Sequence, residues 1–259
     1  MINTPLRVHI APIGYDTDRV TIPLEKMAAD RVWLVKEQNE DKDKGRLYFR
    51  DIEEFLENKL PKCEIKIETC DLINRDLFDT LRVYREILEK EAGNLIFINV
   101  STGSKIQSIA GMLISMIFQE KYKDITPYYV VPESYDEKAE DGRPLVKGCK
   151  QIHPIPSYKI ERPREELIKV LKIINEETVN DKQITKKELI EILDKFNLLE
   201  LQSKSNRREQ DEKSAKYRAL DRKFIEPLLD WKFISIGGTS RYRTIMLTDE
   251  GRNILKFLG

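Results

Sequence analysis

The sequence predicts an α/β fold class, with a Rossmann-like, mostly parallel sheet followed by a winged helix-turn-helix. Up to about residue 131, apolar runs of strand length alternate with segments of helical periodicity, which is typical of a parallel sheet covered by helices on both faces. From Glu166 onwards, three amphipathic helices precede two strands joined by a glycine-containing turn. The length of 259 residues suits two domains, and prolines around residue 160 favour a boundary there. We therefore expect domains at 1–160 and 161–259.

The first strand is expected to begin at Leu6 and to end at Gly14, where a glycine interrupts the apolar run. Asp16 or Thr17 can then cap the following helix. The same alternation predicts strands at 31–35, 64–69, 94–98 and 126–131, and helices at 47–60, at 76–92 and from 105 onwards. The strand at 64–69 alternates polar and apolar residues, so we expect it nearer an edge of the sheet.

The loop from Asn99 to Lys105 has the chemistry of an anion site. It follows a strongly apolar strand, contains Gly103 where the backbone can relax, and leads into a helix at Lys105. Free backbone N–H groups at a helix start, the helix dipole, hydroxyl groups and one ammonium group together suit a phosphate group. A plain turn between strand and helix with a solvated lysine is the alternative, because such loops often contain these residue types.

Both this loop and the loop that begins at Gly14 are expected at the carboxyl ends of parallel strands. Open α/β sheets bind their ligands beyond this edge. We therefore predict a single ligand site to which the two loops contribute. The candidate ligand-binding residues are Gly14, Tyr15, Asp16, Asn99, Ser101, Thr102, Gly103, Ser104 and Lys105.

The helix that begins at Lys105 has two distinct faces. One face is apolar at helical spacing and is expected to pack on the sheet; it consists of Ile106, Ile109, Ala110, Leu113 and Ile117. The other face is rich in small residues and consists of Ser108, Gly111, Met112 and Ser115. Small residues allow close approach of a second helix, which predicts a two-fold dimer with both loops near the axis. A helix that is merely packed beneath its own neighbours is the alternative.

Composition argues against several functional classes. The formal net charge is zero, so binding to nucleic acid must depend on a local basic patch. The three cysteines are odd in number and form no CxxC pair, which argues against a disulfide framework or a zinc ribbon. No cluster has metal-ligand spacing, and no leader peptide or bilayer-spanning apolar stretch is recognised. We expect a cytoplasmic protein without metal, cofactor or membrane partner.

The C-terminal part predicts three helices, a hairpin and a closing helix. The first helix is expected at 166–176, and Thr185 with Glu188 forms a capping box that opens the second. The third helix is expected at 214–231, the two strands at 233–236 and 241–247, and a closing helix from 248 to 255. In this arrangement the third helix enters the major groove of DNA while the hairpin reaches the adjoining backbone.

Basic residues concentrate on the elements expected to meet DNA. Between Ser203 and Lys223 there are eight basic and four acidic residues, and two arginines lie on the hairpin. This local excess suits phosphate contacts and indicates double-stranded DNA as a partner, with a solvated charged face as the alternative. The candidate DNA-binding residues are Lys213, Lys216, Tyr217, Arg218, Arg222, Arg241 and Arg243.

Three segments of the chain resemble a known family. They are Ala11 to Asp16 at the end of the first strand, Asn99 to Lys105 after the fourth strand, and Leu247 to Gly251 in the winged helix. The N-terminal part resembles a CARF domain, the ligand-sensing Rossmann-like module associated with CRISPR systems. The whole chain resembles an archaeal CARF regulator with a C-terminal winged helix-turn-helix. Family members commonly have two glycines before the hydroxyl and lysine residues, whereas Thr102 replaces the first one here.

The resemblance implies a homodimer that binds a cyclic oligoadenylate across its two-fold axis and regulates transcription in CRISPR-based antiviral defence. The loops from Ser101 to Lys105 would hold phosphates, and those from Gly14 to Asp16 would flank the bases or riboses. Cyclic tetra-adenylate matches the two-fold symmetry best, and Tyr15 could stack on its adenine, with a buried structural tyrosine as the alternative. The alternative function is a metal-independent ring nuclease in which Ser101, Thr102 and Lys105 hold a ribose 2′-OH in line with its phosphate.

Overall fold

The computed structural model describes residues 4–72, 74, 76–122, 124–138, 142, 144–179, 183–199, 209–238 and 243–259. The chain divides into two compact units, residues 1–161 and residues 162–259. Each unit contains apolar side chains buried in a core of its own.

The first unit is an α/β structure built on a six-stranded sheet. Its elements are β1 (Arg7–Pro12), α1 (Asp18–Lys26), β2 (Arg31–Glu37), α2 (Arg46–Lys59), β3 (Glu64–Cys70), α3 (Leu77–Lys90), β4 (Leu95–Asn99), α4 (Lys105–Ile117), β5 (Ile125–Val131), β6 (Ser134–Lys138), β7 (Pro144–Lys147) and β8 (Gln151–Pro154). The strand order is β3-β2-β1-β4-β5-β8. Strands β1 to β5 pair in parallel, and β8 pairs antiparallel with β5. The predicted mostly parallel sheet is confirmed.

Strand β1 lies in the middle of the sheet and its residues Val8, Ile10 and Ala11 are completely buried. A strand covered on both faces is mostly apolar, and the one buried polar side chain of β1, His9, lies 3.2 Å from the Tyr128 hydroxyl. Strand β3 instead alternates polar and apolar residues and forms one edge, as predicted. Because β1 and β4 are neighbours, the loops that follow them lie side by side at the carboxyl edge of the sheet.

Helix α4 packs on the sheet through a different face from the one predicted. Gly111 and Ser115 are buried, whereas Ile109, expected on the sheet, is 48% exposed. A Cβ atom on Gly111 would lie 3.0 Å from Ile98 Cγ2 and from Val100 Cγ1, so the small residues let α4 approach its own sheet closely. The expectation that these small residues meet a second helix is therefore wrong, because their own subunit covers them.

A two-stranded hairpin of β6 and β7 forms where the sequence indicated only a polar segment ending in a turn. It is fixed to the helices of the same unit. The Tyr48 hydroxyl donates to the Pro144 carbonyl at 2.6 Å, and the Gly148 N–H following β7 donates to Asp18 Oδ2 at 2.7 Å. Polar strands of this kind have no apolar alternation to reveal them in a sequence.

The second unit is a winged helix, as predicted. Its elements are α5 (Glu165–Glu177), β9 (Ile184–Thr185), α6 (Lys186–Lys195), α7 (Glu209–Leu220), α8 (Glu226–Asp230), β10 (Ile234–Gly237), β11 (Thr244–Leu247) and α9 (Asp249–Leu258). The strands form a small antiparallel sheet in the order β10-β11-β9. The capping box predicted from Thr185 and Glu188 is present at the start of α6.

The predicted third helix consists of α7 and α8 joined by a π-helical turn over Asp221–Ile225. Pro227 follows this turn directly, at the start of α8. Proline lacks an N–H group, and its ring clashes with the carbonyl four residues earlier in a regular α-helix. That carbonyl belongs to Lys223, and here it accepts a hydrogen bond from Arg164 Nη2 at 3.3 Å. The wider turn therefore keeps the helix continuous through the proline.

Candidate functional site

A groove of about 630 Å³ lies at the carboxyl edge of the sheet, between the loops that follow β1, β2, β3 and β4. The predicted residues Gly14, Tyr15, Gly103 and Ser104 line it. The sequence did not identify its other lining residues, which are Ile13, Glu37, Asp41, Lys42, Asp43, Lys44, Gly45, Leu72 and Gln107. The loop between β2 and α2 thus forms one wall and contributes two lysines to the groove.

Two glycines bring the loops after β1 and β4 into backbone contact. A Cβ atom on Gly14 would lie 2.8 Å from the Gly103 nitrogen, which is closer than real side chains come. Gly103 has a φ of +76°, a conformation that favours glycine, and a Cβ there would lie 2.6 Å from Pro12 Cβ. These glycines are therefore required by the close approach of the two loops.

The start of α4 leaves several backbone N–H groups available to a ligand. Ser104 and Gln107 form a capping box: the Ser104 N–H donates to Gln107 Oε1 at 2.8 Å, and the Gln107 N–H donates to Ser104 Oγ at 3.2 Å. Within the described part of the chain, the N–H groups of Thr102, Gly103 and Lys105 have no protein acceptor. Unpaired N–H groups at a helix start attract anions.

Three of the predicted ligand-binding side chains face the protein interior. Asn99 accepts from the Ser101 N–H at 2.9 Å and donates to the Arg19 carbonyl at 2.9 Å. The Ser101 Oγ accepts from the Val130 N–H at 2.6 Å, and the buried Thr102 hydroxyl donates to the Pro12 carbonyl at 2.8 Å. These side chains fix the shape of the loop and are already hydrogen-bonded.

Asp16 is also buried, with 5% of its surface exposed, and forms an ion pair with Arg19. Its Oδ2 lies 3.2 Å from Arg19 Nε, and its Oδ1 accepts from the Arg19 N–H at 3.2 Å. Burial raises the pKa of Asp16 to about 6, although the nearby Arg19 charge acts to lower it. Asp16 thus lies behind the groove wall and contacts α1.

Tyr15 and Lys105 are the predicted residues that reach solvent. Tyr15 is 52% exposed, and its ring centroid lies 5.7 Å from that of Tyr48. An exposed ring of this kind offers a surface on which a nucleobase can stack. Lys105 is exposed at the first position of α4, directly after the loop that contains the unpaired N–H groups.

The predicted DNA-binding residues lie on two faces of α7 and its continuation. Lys216 donates to Asp194 Oδ2 at 2.7 Å, and Tyr217 is half-buried beside a groove between α6 and α7 that Lys213 also lines. Arg218 and Arg222 are exposed on another face, and Arg243 is exposed before β11. Arg241 lies outside the described residues.

Sequence reasoning missed Arg19, Glu37 and Gln107. The signal for Gln107 was present, since Ser104 and Gln107 have the spacing of a capping box. Glu37 is the last residue of β2; its Oε1 accepts from the Asn39 N–H and its Oε2 from the Leu72 N–H, both at 2.9 Å. No local pattern reveals such a carboxylate, because its partners come from two different loops.

The remaining buried titratable groups are structural. Burial lowers the pKa of His9 to about 3, so its imidazole is neutral, and its Nδ1 lies 3.2 Å from the Tyr128 hydroxyl. Burial also raises the pKa of Cys63 to about 11, which disfavours a reactive thiolate. Among the described residues, no three His, Cys, Asp or Glu side chains are arranged to hold a metal ion. In the same part of the chain, no helix has the length and apolar character needed to cross a bilayer.

Family models match both units. Residues 7–135 match the model described as HFX_2341_N-like, N-terminal, and residues 166–259 match the DUF6293 C-terminal winged helix domain. The chain thus joins an HFX_2341_N-like domain to a DUF6293 winged helix domain. The predicted order, a Rossmann-like α/β domain followed by a winged helix-turn-helix, is confirmed at the level of these two domains.

A curated relative of this HFX_2341_N-like, DUF6293-type chain is protein MJ1513 of Methanocaldococcus jannaschii. It is 34% identical over 211 residues, which are 70% of this chain and 59% of the relative. The chain therefore spans less than two thirds of the length of that relative.

Three solved structures are similar to this chain at low identity. Csm6 of Enterococcus italicus, bound to cyclic hexa-2′-fluoro-hexa-dAMP, is 12% identical with a TM-score of 0.43, over 88% of this chain and 56% of Csm6. Can2 of Sulfobacillus thermosulfidooxidans, in complex with cyclic tetra-adenylate, is 12% identical with a TM-score of 0.39, over 97% and 63%. Protein VC1899 of Vibrio cholerae is 14% identical with a TM-score of 0.40, over 97% and 64%.

Proposed function

We propose that this chain is a DNA-binding transcription regulator that senses a cyclic oligoadenylate, with cyclic tetra-adenylate as the ring that best matches a two-fold site. The observation that supports this most directly is the loop from Thr102 to Lys105. Its unpaired N–H groups lie at the same sheet edge as the exposed Tyr15 ring, and the exposed Lys105 follows them in the chain. A phosphate beside a stacked base requires this combination of groups.

The hydrogen bonds within the loop limit which groups we propose as phosphate ligands. The Thr102 hydroxyl donates inside the protein, and Ser101, whose oxygen accepts from the Val130 N–H, does not line the groove. The proposed phosphate ligands are therefore backbone N–H groups together with Lys105 and Ser104, which lines the groove and whose hydroxyl can donate while its oxygen accepts from the Gln107 N–H. The opposite wall adds no net positive charge, because Lys42 and Lys44 lie there beside three acidic residues, Glu37, Asp41 and Asp43. The engagement of Ser101 and Thr102 also leaves Lys105 as the one accessible group of the alternative ring nuclease, so we favour binding without cleavage.

A homodimer would complete this site. Ile106, Ile109 and Leu113 give α4 an apolar face that its own subunit covers only partly, and Ile109 is 48% exposed. Lys105 and Ile109 are four residues apart and therefore lie on the same side of the helix. If two copies of α4 meet through Ile109, both anion-binding loops lie near the two-fold axis and face a symmetric ring of phosphates. A single subunit would provide only half of the hydrogen-bond donors that the ring of phosphates meets in the dimer.

The second unit supplies the proposed DNA contacts. Arg218, Arg222 and Arg243 are exposed on the third helix and the hairpin of a winged helix. In this fold these elements approach the major groove and the adjoining backbone. A ligand shared by two subunits would change their relative rotation and hence the spacing of two such helices.

Replacement of Lys105 by alanine tests the ligand site. Loss of a charge-assisted contact is expected to weaken binding of cyclic tetra-adenylate by about 1.5–3 kcal/mol, roughly 10- to 100-fold in affinity. The matched control is Lys62→Ala, because Lys62 is an exposed lysine at the amino edge of the sheet. Calorimetry should give equal affinities for the control and the wild type.

The same samples distinguish sensing from cleavage. Mass spectrometry of the ligand after incubation should recover intact cyclic tetra-adenylate. Linear di-adenylate with a 2′,3′-cyclic phosphate would instead establish the ring nuclease. Unchanged affinity of Lys105→Ala would overturn the assignment of this loop as the phosphate site.

A further inference from the structure

A buried arginine lies directly beneath the anion-binding loop. Arg19 on α1 is only 6% exposed, and its Nη2 donates to the Ser101 carbonyl. On its other side, Nε lies 3.2 Å from Asp16 Oδ2, and the guanidinium carbon is 5.3 Å from the centre of the Tyr129 ring. A guanidinium group is costly to bury unless its charge is balanced. The Asp16 carboxylate balances the charge of Arg19, although the buried Nε makes no hydrogen bond to the described part of the chain. These three partners come from three separate segments of the first unit.

The backbone of Arg19 is held by the same loops as its side chain. Its N–H donates to Asp16 Oδ1 at 3.2 Å, and its carbonyl accepts from Asn99 Nδ2 at 2.9 Å. Asn99 also accepts from the Ser101 N–H. Arg19 therefore links the loop after β1 to the loop after β4 through main chain and side chain together.

The hydrogen bond from Arg19 determines how one peptide of the loop is oriented. In a trans peptide, the carbonyl and the N–H point in opposite directions. Because Arg19 holds the Ser101 carbonyl inward, the N–H of Thr102 in the same peptide is turned outward, where the described chain offers it no acceptor. The ligand-facing N–H groups are thus prearranged before an anion arrives.

We propose that Arg19 is the positioning residue of the anion-binding loop: it orients the Ser101–Thr102 peptide from behind and does not contact the ligand. This inference rests on the proposed function, because it concerns the same phosphate site. Asp16 then serves as the buried counter-charge that keeps Arg19 in place, rather than as a ligand contact.

Arg19→Lys tests this inference, because lysine keeps the positive charge but lacks the planar guanidinium group whose Nη2 donates to the Ser101 carbonyl while Nε lies beside Asp16. We expect the affinity for cyclic tetra-adenylate to fall roughly tenfold or more in calorimetry, as for loss of a charge-assisted contact. Arg50→Lys, at an exposed position on α2, is the matched control and should bind like the wild type. Thermal unfolding of each variant checks that the first unit remains folded.

A second measurement separates positioning from general destabilisation. In 1H–15N spectra of the ligand-free protein, Arg19→Lys should shift the amide signals of Thr102 and Gly103, while those of Val8 and Ile10 inside the sheet stay unchanged. Equal affinity of Arg19→Lys and wild type for cyclic tetra-adenylate would overturn the positioning role.

Failure of the proposed function can be distinguished from failure of the positioning role of Arg19. If the wild type does not bind cyclic tetra-adenylate, that ligand is wrong, and the comparison is repeated with inorganic triphosphate as the anion. Weaker triphosphate binding by Arg19→Lys than by Arg50→Lys would support the positioning role independently of the nucleotide. Equal triphosphate binding by the two variants, or none by the wild type, would exclude it.

Discussion

At the residue scale, Asp16 predicts an unusual dependence of stability on pH. Burial raises its pKa from 3.8 to about 6, the Arg19 charge and N–H oppose this, and the Asp18 charge adds to it. Between pH 4 and pH 6, the Asp16 carboxyl group is therefore protonated in the folded protein and ionised in the unfolded chain. The contribution of Asp16 to stability is present below pH 3.8 and is lost as the pH rises through 6. The shift corresponds to roughly 3 kcal/mol.

Asp16→Asn should remove this dependence. Urea unfolding between pH 4 and pH 7 should show that the free energy of unfolding falls more steeply with pH in the wild type than in the variant. Asp30→Asn is an informative control, because a hydrogen bond from Arg7 lowers the pKa of Asp30 to about 2 and reverses the sign. The wild type loses the stabilising contribution of Asp30 as the pH falls from about 4 to about 2, so the pH dependence of its free energy of unfolding should differ from that of Asp30→Asn only below about pH 4. Parallel curves for wild type and Asp16→Asn would contradict the burial of a carboxyl group at this position.

The direction in which single side chains point was the part of the site that the sequence could not reveal. The sequence located both loops, because glycine and small polar residues after an apolar strand indicate a strand end. It also assigned Asn99, Ser101 and Thr102 to the ligand, whereas their side chains satisfy backbone groups of helix α1 and of strands β5 and β1, respectively. Such partners are distant in sequence, and no local pattern encodes them.

At the element scale, the two faces of α4 predict opposite effects of mutation. Gly111→Leu should destabilise the folded chain, because added atoms would overlap Ile98 and Val100. Overpacking of this kind costs typically about 1–3 kcal/mol. Ile109→Lys changes an exposed position and should leave the free energy of unfolding of the subunit unchanged while it disrupts a dimer. Chemical denaturation and light scattering of both variants measure these two effects.

The outcome for Ile109→Lys decides where the proposed dimer forms. A variant that remains dimeric at the same concentration as the wild type would exclude this face of α4 as the interface. If Gly111→Leu were fully stable and monomeric, its small-residue face would be the interface instead. That result would contradict the burial of Gly111 in its own subunit.

Elements were easier to predict than their orientation, and α4 illustrates the reason. The helix is apolar over most of its circumference, so periodicity identifies a helix but does not select the stripe that faces the sheet. The small residues lie on the side of α4 that faces β4, because they allow the helix to approach that strand closely. In the winged helix, the strong amphipathic patterns and the capping box at Thr185 left no such ambiguity. The polar strands β6 and β7 were missed because they bury little apolar surface.

At the scale of the whole molecule, the proposed regulator must couple ligand to DNA. Wild-type protein is expected to bind any duplex of about 30 base pairs at low salt, and to prefer a pseudo-palindrome whose half-sites are one helical turn apart. Replacing Arg218 and Arg222 by alanine should weaken binding to all sequences alike. It should also reduce the slope of log affinity against log salt by about two, one for each lost phosphate contact.

Arg252→Ala is the matched control for the DNA titration, since Arg252 is an exposed arginine on α9 paired with Asp249. Cyclic tetra-adenylate should change the DNA affinity of the wild type by about 1–3 kcal/mol, the usual size of coupling between two sites. By reciprocity, saturating DNA should change the affinity for the ligand by the same factor, and Lys105→Ala should abolish both effects together. Titrations at two salt concentrations, with and without ligand, measure all of these quantities. Absence of DNA binding at low salt would make the winged helix a protein-interaction module, and equal DNA affinities with and without bound ligand would remove the coupling.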